Sequence, residues 1–307
     1  MKICVVGGGG WGKNHIKTLD KLGHLGAIID SNNEILNSYS SMKNCQLHNS
    51  ITESLDFSYD GYIVATPAET HYKIAKDLIN NSKNVLIEKP ICLNSKESED
   101  LIALAKRNEV FIMGGHLLLF HPAFIKIKEI INSKELGDLL YMYSNRINFG
   151  KIRQHENALW SLAPHDISLF LFFANSPITK LHYNGSDILN NKIDDSSIST
   201  FEFKNGAKGH IFVNWYNPFK EHKFVIVCSK GMVTYEDSSD KKQVILHKKK
   251  HSNFELVDNG IEIVDYDSSY PLDNQLKYFI SSVQQKFFNY ENIHLSSDVV
   301  KILEKLN

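Results

Sequence analysis

The sequence is poor in the residues that mark secreted, metal-binding and membrane proteins. Its 307 residues include only four cysteines, and their spacing matches no metal site: Cys4, Cys45, Cys92 and Cys228. These thiols predict reduced core cysteines in a cytoplasmic protein. No apolar run approaches the roughly 18 residues of a membrane-spanning helix, and the apolar N-terminal run is too short for a signal peptide.

An excess of one charge is lacking as well. The formal net charge is -1, so neither a nucleic acid nor an anionic membrane is expected as a partner. Arginine is scarce, since Arg107, Arg146 and Arg153 are the only arginines among 34 Lys and Arg residues. Arg146 and Arg153 lie close together in sequence and are candidates for bidentate contact with an anionic ligand, with chance placement as the alternative.

The chain does contain what a two-domain globular protein needs. Its length allows two separate hydrophobic cores, and a composition of 42% hydrophobic and 22% charged residues is ordinary for such proteins. A glycine-rich run follows the first short apolar stretch, and Gly7, Gly9 and Gly12 fit the pattern G-x-G-x-x-G. In that pattern the first glycine permits a tight turn, the second lets the backbone approach a pyrophosphate and the third lets a helix pack closely.

The residues around this loop favour NAD. Gly10 and Trp11 complete the loop, and the phosphates would lie at the N-terminus of the following helix. Leu25–Ile29 reads as a second strand that ends in Asp30, 18 residues after Gly12. A carboxylate there accepts hydrogen bonds from the adenosine ribose and repels a ribose phosphate, and no arginine follows it closely. The sequence therefore favours NAD over NADP.

Strands alternate with helices of 10–15 residues through the first 120 residues. This pattern predicts an α/β Rossmann domain, a doubly wound parallel sheet, over residues 1–120. Ligands bind such sheets at the carboxyl ends of the strands. The candidate cofactor-binding residues at the later strand ends are Thr66, Pro67, His71, Glu88, Lys89 and His116.

The second half predicts an α+β domain over residues 121–307, for substrate binding and oligomerisation. A long strand, Leu139–Phe149, is followed by short strands joined by tight turns such as 204–207, which indicates a mainly antiparallel open sheet. The run Lys248–Lys250 predicts a solvated loop. The open sheet with an aromatic face suggests a homodimer or homotetramer.

A second candidate site lies where a helix begins. Pro164 fits the first position of a helix, so His165 and Asp166 fall in its first turn. The positive end of the helix dipole disfavours imidazolium and keeps His165 neutral, the state that a general base needs, although the charge of Asp166 opposes this. The alternative is a histidine that caps the helix or packs in the core.

These motifs, in this order and spacing, resemble the Gfo/Idh/MocA family of NAD(P)-dependent sugar oxidoreductases. The resemblance rests on Gly7–Gly12, on Thr66–Pro67 with Thr70–His71, on Glu88–Lys89–Pro90 and on His165–Asp166. It implies that Lys89 lies between the nicotinamide and the reacting hydroxyl, and that His165 is the general base.

The resemblance also indicates a branch of the family. Many sugar and inositol dehydrogenases carry an aspartate four residues before the histidine, where this chain has Ser161. The run from Asn148 to Asp166 instead resembles enzymes that oxidise the 3-hydroxyl of UDP-N-acetylglucosamine or its uronic acid. That likeness makes Arg153 and Asn157 substrate-contact candidates beside Lys89, Asn148 and His165, with Arg146 a weaker one.

Other functions stay open at this point. The chain could be a dTDP-3-ketosugar reductase or another sugar or inositol dehydrogenase of the family. A protein of another class, a non-catalytic NAD-binding sensor or scaffold, would not need both Lys89 and His165. No metal site is expected.

Overall fold

A computed structural model describes residues 1–154, 156–189, 192–252 and 255–306, without the side chains of residues 251 and 252. The chain forms two compact units. The first contains Met1–Leu117 and Tyr270–Lys301. The second contains Leu118–Ser269 and the C-terminal residues from Ile302.

The secondary structure follows the chain in a regular order. The strands are β1 Ile3–Val6, β2 Leu25–Ile29, β3 Gln46–His48, β4 Gly61–Val64, β5 Asn84–Ile87, β6 Ile112–Gly114, β7 Leu139–Phe149, β8 Ile178–Ser186, β9 Ser196–Phe203, β10 Lys208–Asn214, β11 Tyr216–Cys228, β12 Gly231–Glu236, β13 Val244–Ser252 and β14 Glu255–Val264. The helices are α1 Gly12–Lys21, α2 Asn33–Asn37, α3 Ile51–Leu55, α4 Ala68–Asn80, α5 Ser95–Arg107, α6 Pro122–Ser133, α7 Ala158–Leu162, α8 Pro164–Ala174, α9 Pro271–Gln285 and α10 Glu291–Leu306.

The first unit is built on a six-stranded parallel sheet. Its strand order, β3-β2-β1-β4-β5-β6, reverses direction between β1 and β4, and every residue of β1 and β4 is buried. Strands buried on both faces read as continuous apolar runs, which is why the sequence pattern located them. The predicted doubly wound parallel sheet is confirmed, and its switch point lies beside the glycine loop.

Short polar side chains set where several helices of this unit begin. Ser50 accepts a hydrogen bond from the backbone N of Glu53 at the start of α3. Asn94 likewise accepts one from the backbone N of Glu97 at 2.9 Å. These caps satisfy helix N–H groups that have no partner inside the helix.

The helices α9 and α10 show where the sequence-based domain boundary departs from the structure. The prediction placed residues 121–307 in one domain, whereas the structure groups α9 and most of α10 with the parallel sheet. The ring of Phe279 on α9 stacks on Phe111 at 6.0 Å and lies against Gly61, where a Cβ would come within 3.0 Å of it. An apolar stripe shows that a helix is buried, but not which sheet buries it.

Gln275 on α9 leads to a test of stability. This side chain is 0% exposed, and neither its Oε1 nor its Nε2 has a hydrogen-bond partner among the described residues. A buried, unsatisfied polar group costs about 1–3 kcal/mol, so we expect Gln275→Leu to stabilise the protein by about 1 kcal/mol. The thermal unfolding midpoint should rise. Gln284→Leu, at an exposed position on the same helix, is the control and should change stability by less than about 0.5 kcal/mol. A lower midpoint for Gln275→Leu would indicate a polar partner for this amide.

The second unit is built on an eight-stranded sheet in the order β14-β13-β12-β11-β7-β10-β9-β8. Among the described strands, β7 and β10 pair in parallel and all other neighbours are antiparallel, which confirms the prediction of a mainly antiparallel sheet. Helices α6 and α8 cover one face. Phe124 packs against Phe224 at 5.7 Å between ring centroids, and Phe170 packs against Phe201 at 5.3 Å.

The lysine run near the end of the sheet differs from its prediction. Lys248–Lys250 belongs to β13 and not to a loop. Lys248 pairs with Glu262 at 2.6 Å, and Lys249 pairs with Asp258 at 3.0 Å, both across the hairpin on β14. Opposite charges on facing strands stabilise this part of the hairpin. Because its residues do not alternate between apolar and polar, hydrophobic periodicity alone could not predict that they form a strand.

The described part of the chain contains no helix that is both long and apolar enough to cross a bilayer.

Candidate cofactor and substrate sites

The glycine loop joins β1 to α1, and the protein itself requires two of its glycines. Gly7 has a φ of +94°, and a Cβ there would lie 2.8 Å from the carbonyl oxygen of Ala65. A Cβ on Gly12 would lie 1.8 Å from the carbonyl oxygen of Gly7. The tight turn and the close start of α1 therefore exclude any side chain at these two positions.

Gly9 and Gly10 have no such internal reason. A Cβ on Gly9 would meet Ile35 at an ordinary 3.5 Å, and a Cβ on Gly10 would meet nothing within 4 Å. Trp11 precedes α1 and is 44% exposed. The first turn of α1 holds no acidic residue, so no side chain there offsets the positive end of the helix dipole. The open backbone at Gly9 and Gly10 and the uncompensated start of α1 are features that suit an anion such as a diphosphate.

Asp30 is held beside the loop by two backbone groups. Its Oδ2 accepts a hydrogen bond from Gly8 N at 2.8 Å, and its Oδ1 accepts one from Asn32 N at 2.9 Å. The hydroxyl of Tyr39 donates to Gly8 O at 2.6 Å. Burial and the charge of Asp30 raise the pKa of Tyr39, so it stays a hydrogen-bond donor. The carboxylate is thus oriented at the end of β2, where the sequence predicted a ribose contact.

His71 connects the ends of two strands. The Thr66 and Thr70 hydroxyls lie 2.7 Å apart in the loop after β4. Buried His71 directs Nε2 to the carbonyl oxygen of Thr66 at 2.8 Å and Nδ1 to that of Pro90 at 2.9 Å. The sequence predicted a cofactor contact for Thr66, Pro67 and His71. In the structure both ring nitrogens of His71 are engaged in holding the two loops together.

Glu88 lies buried at the end of β5, directly before Lys89. One carboxylate oxygen lies 2.7 Å from His15 Nε2, and the other accepts a hydrogen bond from Lys89 N at 3.1 Å. Burial alone would raise the pKa of Glu88, but the hydrogen bond and charge of His15 bring it below the ordinary value. Glu88 therefore fixes the backbone of Lys89 as an ionised carboxylate. The position of His15, three residues after Gly12, indicates either packing within the helix or a contact on the cofactor side, and the structure directs its ring to Glu88.

His116 follows β6 and is also buried. Burial lowers its pKa to about 4, the nearby Glu88 charge raises it and Lys89 lowers it again, so the ring is neutral. The parallel sheet brings the loop glycines and the later strand-end residues to one edge, because they follow β1, β2, β4, β5 and β6. This common edge is where a doubly wound sheet binds its ligand.

In the second unit, α8 begins as predicted at Pro164, with His165 and Asp166 in its first turn. Asp166 is 1% exposed and accepts hydrogen bonds from Arg146 Nε at 2.6 Å, from Arg146 Nη2 at 3.1 Å and from Ser144 Oγ at 2.5 Å. Arg146, predicted as a substrate contact, thus directs two donor groups into the protein. The sequence did not predict this pair, since it depends on the register of β7 against α8.

The segment after β7 holds the other predicted substrate residues. Asn148 is partly buried, and its Oδ1 has no hydrogen-bond partner among the described residues. Arg153 is 47% exposed in its side chain and lies 3.5 Å from Glu156. Asn157 caps α7, where its Oδ1 accepts a hydrogen bond from Trp160 N at 3.0 Å. Of the two neighbouring arginines, Arg153 is therefore the one with an exposed guanidinium.

Both ends of this segment are anchored. Gly150 N donates to the carbonyl oxygen of Trp215 at 2.8 Å, and Ala158 N donates to that of Asp194 at 2.9 Å. Trp215 is itself held by Asp195, whose carboxylate accepts the indole N–H at 2.6 Å. The sequence offered no signal for these anchors, because they join residues far apart in the chain.

No group of three His, Cys, Asp or Glu side chains within the described residues could hold a metal ion.

Two family models match the chain. One, described as an oxidoreductase family with an NAD-binding Rossmann fold, matches residues 1–116. The other, described as the Gfo/Idh/MocA C-terminal domain, matches residues 124–234. The two matches together cover most of the chain.

Curated relatives align over part of their length. The uncharacterized oxidoreductase YrbE of Bacillus subtilis (strain 168) is 24% identical over 217 residues, which is 66% of this chain and 64% of that protein. The UDP-N-acetylglucosamine 3-dehydrogenase of Acidithiobacillus ferrooxidans is 24% identical over 195 residues, which is 63% of this chain and 61% of that protein. The chain thus spans less than two thirds of the length of these relatives.

Solved structures agree over nearly the whole chain. The UDP-N-acetylglucosamine 3-dehydrogenase GnnA of A. ferrooxidans gives a TM-score of 0.88 at 18% identity, with 100% of this chain and 96% of that chain covered. GenD2 from gentamicin A biosynthesis, in complex with NAD, gives 0.84 at 20% identity, with 99% and 92% covered. At these identities the likeness concerns the fold. With both of its domains matched, the chain belongs to the Gfo/Idh/MocA family of oxidoreductases.

Proposed function

We propose that this protein oxidises the 3-hydroxyl of a nucleotide sugar, UDP-N-acetylglucosamine or its uronate, with NAD as the oxidant. The observation that carries this proposal is the start of α8, where His165 stands beside a carboxylate already balanced by Arg146. The run from Asn148 to Asp166 resembles the nucleotide-sugar branch, and a relative of the same fold carries that activity in its name.

The cofactor residues in this proposal are those of the glycine loop and its neighbours. The diphosphate would lie against Gly9, Gly10 and the start of α1, and Asp30 would accept hydrogen bonds from the adenosine ribose. When bound, the nicotinamide supplies the hydride acceptor for the sugar carbon. The negative charge of Asp30 favours NAD over NADP because a ribose phosphate would meet it.

Asp30 offers a direct test of this preference. In Asp30→Asn we expect kcat/KM for NADP relative to NAD to rise at least about tenfold, because a like-charge repulsion is removed and an ionic hydrogen-bond acceptor for the ribose is lost. Asp20→Asn, at an exposed position on α1, is the matched control and should leave the ratio unchanged. An unchanged ratio in Asp30→Asn would contradict the ribose role.

The chemistry at the sugar is assigned to two side chains. We propose that His165 takes the proton of the hydroxyl group as it is oxidised. We propose that Lys89, fixed through Glu88, donates a hydrogen bond to the same oxygen and stabilises its developing negative charge. Arg153 and Asn157 are the proposed contacts for the rest of the substrate, with Asn148 nearby in sequence.

A substrate panel tests the proposal. The purified protein is mixed with NAD and, in separate reactions, with UDP-N-acetylglucosamine, its uronate, dTDP-sugars, glucose and myo-inositol. We expect NADH absorbance only with the UDP-sugars, and a product that takes up one deuterium at C3 on borodeuteride reduction. Turnover with inositol or glucose would instead assign a different dehydrogenase, and oxidation of NADH by a dTDP-3-ketosugar would assign a reductase. Tight NAD binding without turnover of any sugar would favour a sensor or scaffold.

The uncovered face of the second sheet supports self-association. Tyr143 and His210 stack there with ring planes 2° apart, and both are only partly buried. We propose that this face joins copies of the chain into a homodimer or homotetramer. Light scattering after gel filtration would detect the assembly, and a monomeric mass at micromolar concentration would contradict it.

A further inference from the structure

We infer that Ser144, Arg146 and Asp166 form a positioning clamp for His165, and that Arg146 acts on the reaction through Asp166 and not as an anion contact for the substrate. This inference rests on the proposed role of His165 as base. It assigns Arg146 to the positioning of His165, whereas the sequence made this arginine a candidate for contact with the substrate.

The geometry of the clamp comes from strand alternation. Ser144 and Arg146 are two residues apart on β7, so their side chains leave the same face of the sheet. Both donate to Asp166: Ser144 Oγ and Arg146 Nη2 to Oδ1, and Arg146 Nε to Oδ2. A bidentate guanidinium–carboxylate pair fixes direction as well as distance. The clamp therefore ties the first turn of α8, which carries His165, to the strand beneath it.

The clamp also sets the charge beside His165. Asp166 is 1% exposed, and an uncompensated carboxylate one residue away would favour the protonated imidazole. Arg146 has a side chain that is 12% exposed and cancels that charge. A general base must be unprotonated to accept a proton, so the ion pair keeps His165 in its working state.

The other charged groups around the pair do not replace Arg146. A cavity of about 10 Å³, room for about one water molecule, is lined by His222 and Lys223 from β11 and by Asp237 after β12. Burial and the charge of Arg146 lower the pKa of His222 to about 4, so its ring is neutral. Lys223 and Asp237 carry opposite charges. Removing either Arg146 or Asp166 thus changes the local charge by one unit.

The donors of Arg146 leave little for a substrate. Nε and Nη2 are directed to Asp166, and Nη1 lies 3.5 Å from His222 Nδ1. Arg153 is the exposed arginine of the segment that follows β7. An anionic substrate group is therefore assigned to Arg153, and charge control to Arg146.

The test compares Arg146→Met, Asp166→Asn and the double variant with wild type, each as full-length protein saturated with NAD. The titration of His165 is followed by NMR on ¹³C-histidine-labelled protein and assigned by its loss in His165→Gln. We expect the His165 midpoint to rise by about one pH unit in Arg146→Met, where the carboxylate is left alone, and to fall by about as much in Asp166→Asn, where the guanidinium is left alone. The double variant should return close to wild type. A purely structural role would not move the midpoint in opposite directions.

Kinetics give the second readout. When kcat/KM for UDP-N-acetylglucosamine is measured against pH, the midpoint of its acid limb should shift with the NMR midpoint of His165 in each variant. KM should change less than about threefold. Arg153→Met, by contrast, should raise KM without moving the limb. A KM increase of tenfold or more in Arg146→Met with an unmoved midpoint would overturn the inference. The NMR titration needs no turnover, so the clamp can fail while the proposed activity stands, and the activity can fail while the clamp stands.

Discussion

His165→Asn and Lys89→Met are each expected to lower kcat by about 10²–10⁴-fold with NAD binding retained, the range that a positioned acid–base group contributes. Asparagine occupies a similar volume but cannot accept the hydroxyl proton. Methionine keeps the length of the lysine side chain but removes the ammonium group that would stabilise the developing oxyanion. Neither residue is proposed to hold the diphosphate or the adenosine, so the dinucleotide should still bind.

The measurement pairs steady-state kinetics on the identified sugar with a fluorescence titration of NADH. Lys204→Met and His182→Asn are the matched controls, because both side chains are exposed on the second unit and neither is a proposed contact of the cofactor or the sugar. They should keep wild-type turnover. Near-normal kcat in both His165→Asn and Lys89→Met, with NAD still bound, would show that the chemistry has been assigned to the wrong residues.

The glycine loop should respond to alanine in two distinct ways. Gly12→Ala would place a Cβ 1.8 Å from the Gly7 carbonyl oxygen, so we expect a loss of about 3 kcal/mol or more in stability together with loss of NAD binding. Gly9→Ala meets only an ordinary 3.5 Å contact with Ile35 and should leave the unfolding midpoint unchanged. Its methyl group would instead meet the diphosphate at a cost of about 1–3 kcal/mol, which weakens NAD binding roughly 10- to 100-fold.

Thermal unfolding without cofactor and calorimetric titration with NAD separate the two effects. Gly10→Ala serves as the stability control, since nothing lies within 4 Å of its Cβ position. If Gly9→Ala bound NAD as tightly as wild type, the loop would not be the diphosphate site. If Gly12→Ala kept the wild-type midpoint, the close packing of α1 on the loop would be incorrect.

Local sequence features predicted most of the first unit. Its buried parallel strands are continuous apolar runs, and its helices start at residues such as Ser50 whose side chains cap them. Asp30 was predicted because the spacing from a glycine loop to the end of the next strand is nearly constant in such units. Predictions of this kind succeed when the information lies within a few residues of the feature.

Longer-range features were predicted less well. The hairpin of β13 and β14 is held by cross-strand charge pairs such as Lys249–Asp258, which hydrophobic periodicity does not detect. The helix α9 reads as buried, yet only its contact of Phe279 with Phe111 shows that it packs on the parallel sheet. In both cases the sequence did not show which other element the strand pairs with or the helix packs against.

The sequence by itself determined that there is a glycine loop with a carboxylate at the end of the next strand, a lysine at a strand end and a histidine in the first turn of a helix. Each depends on residue type and spacing within one βα unit or one helix start. Only the tertiary structure decided that His15 pairs with the Glu88 carboxylate and that Arg146 donates hydrogen bonds to Asp166. Those pairings join side chains 73 and 20 residues apart, and the register of one element against another, which no local pattern encodes, brings them together.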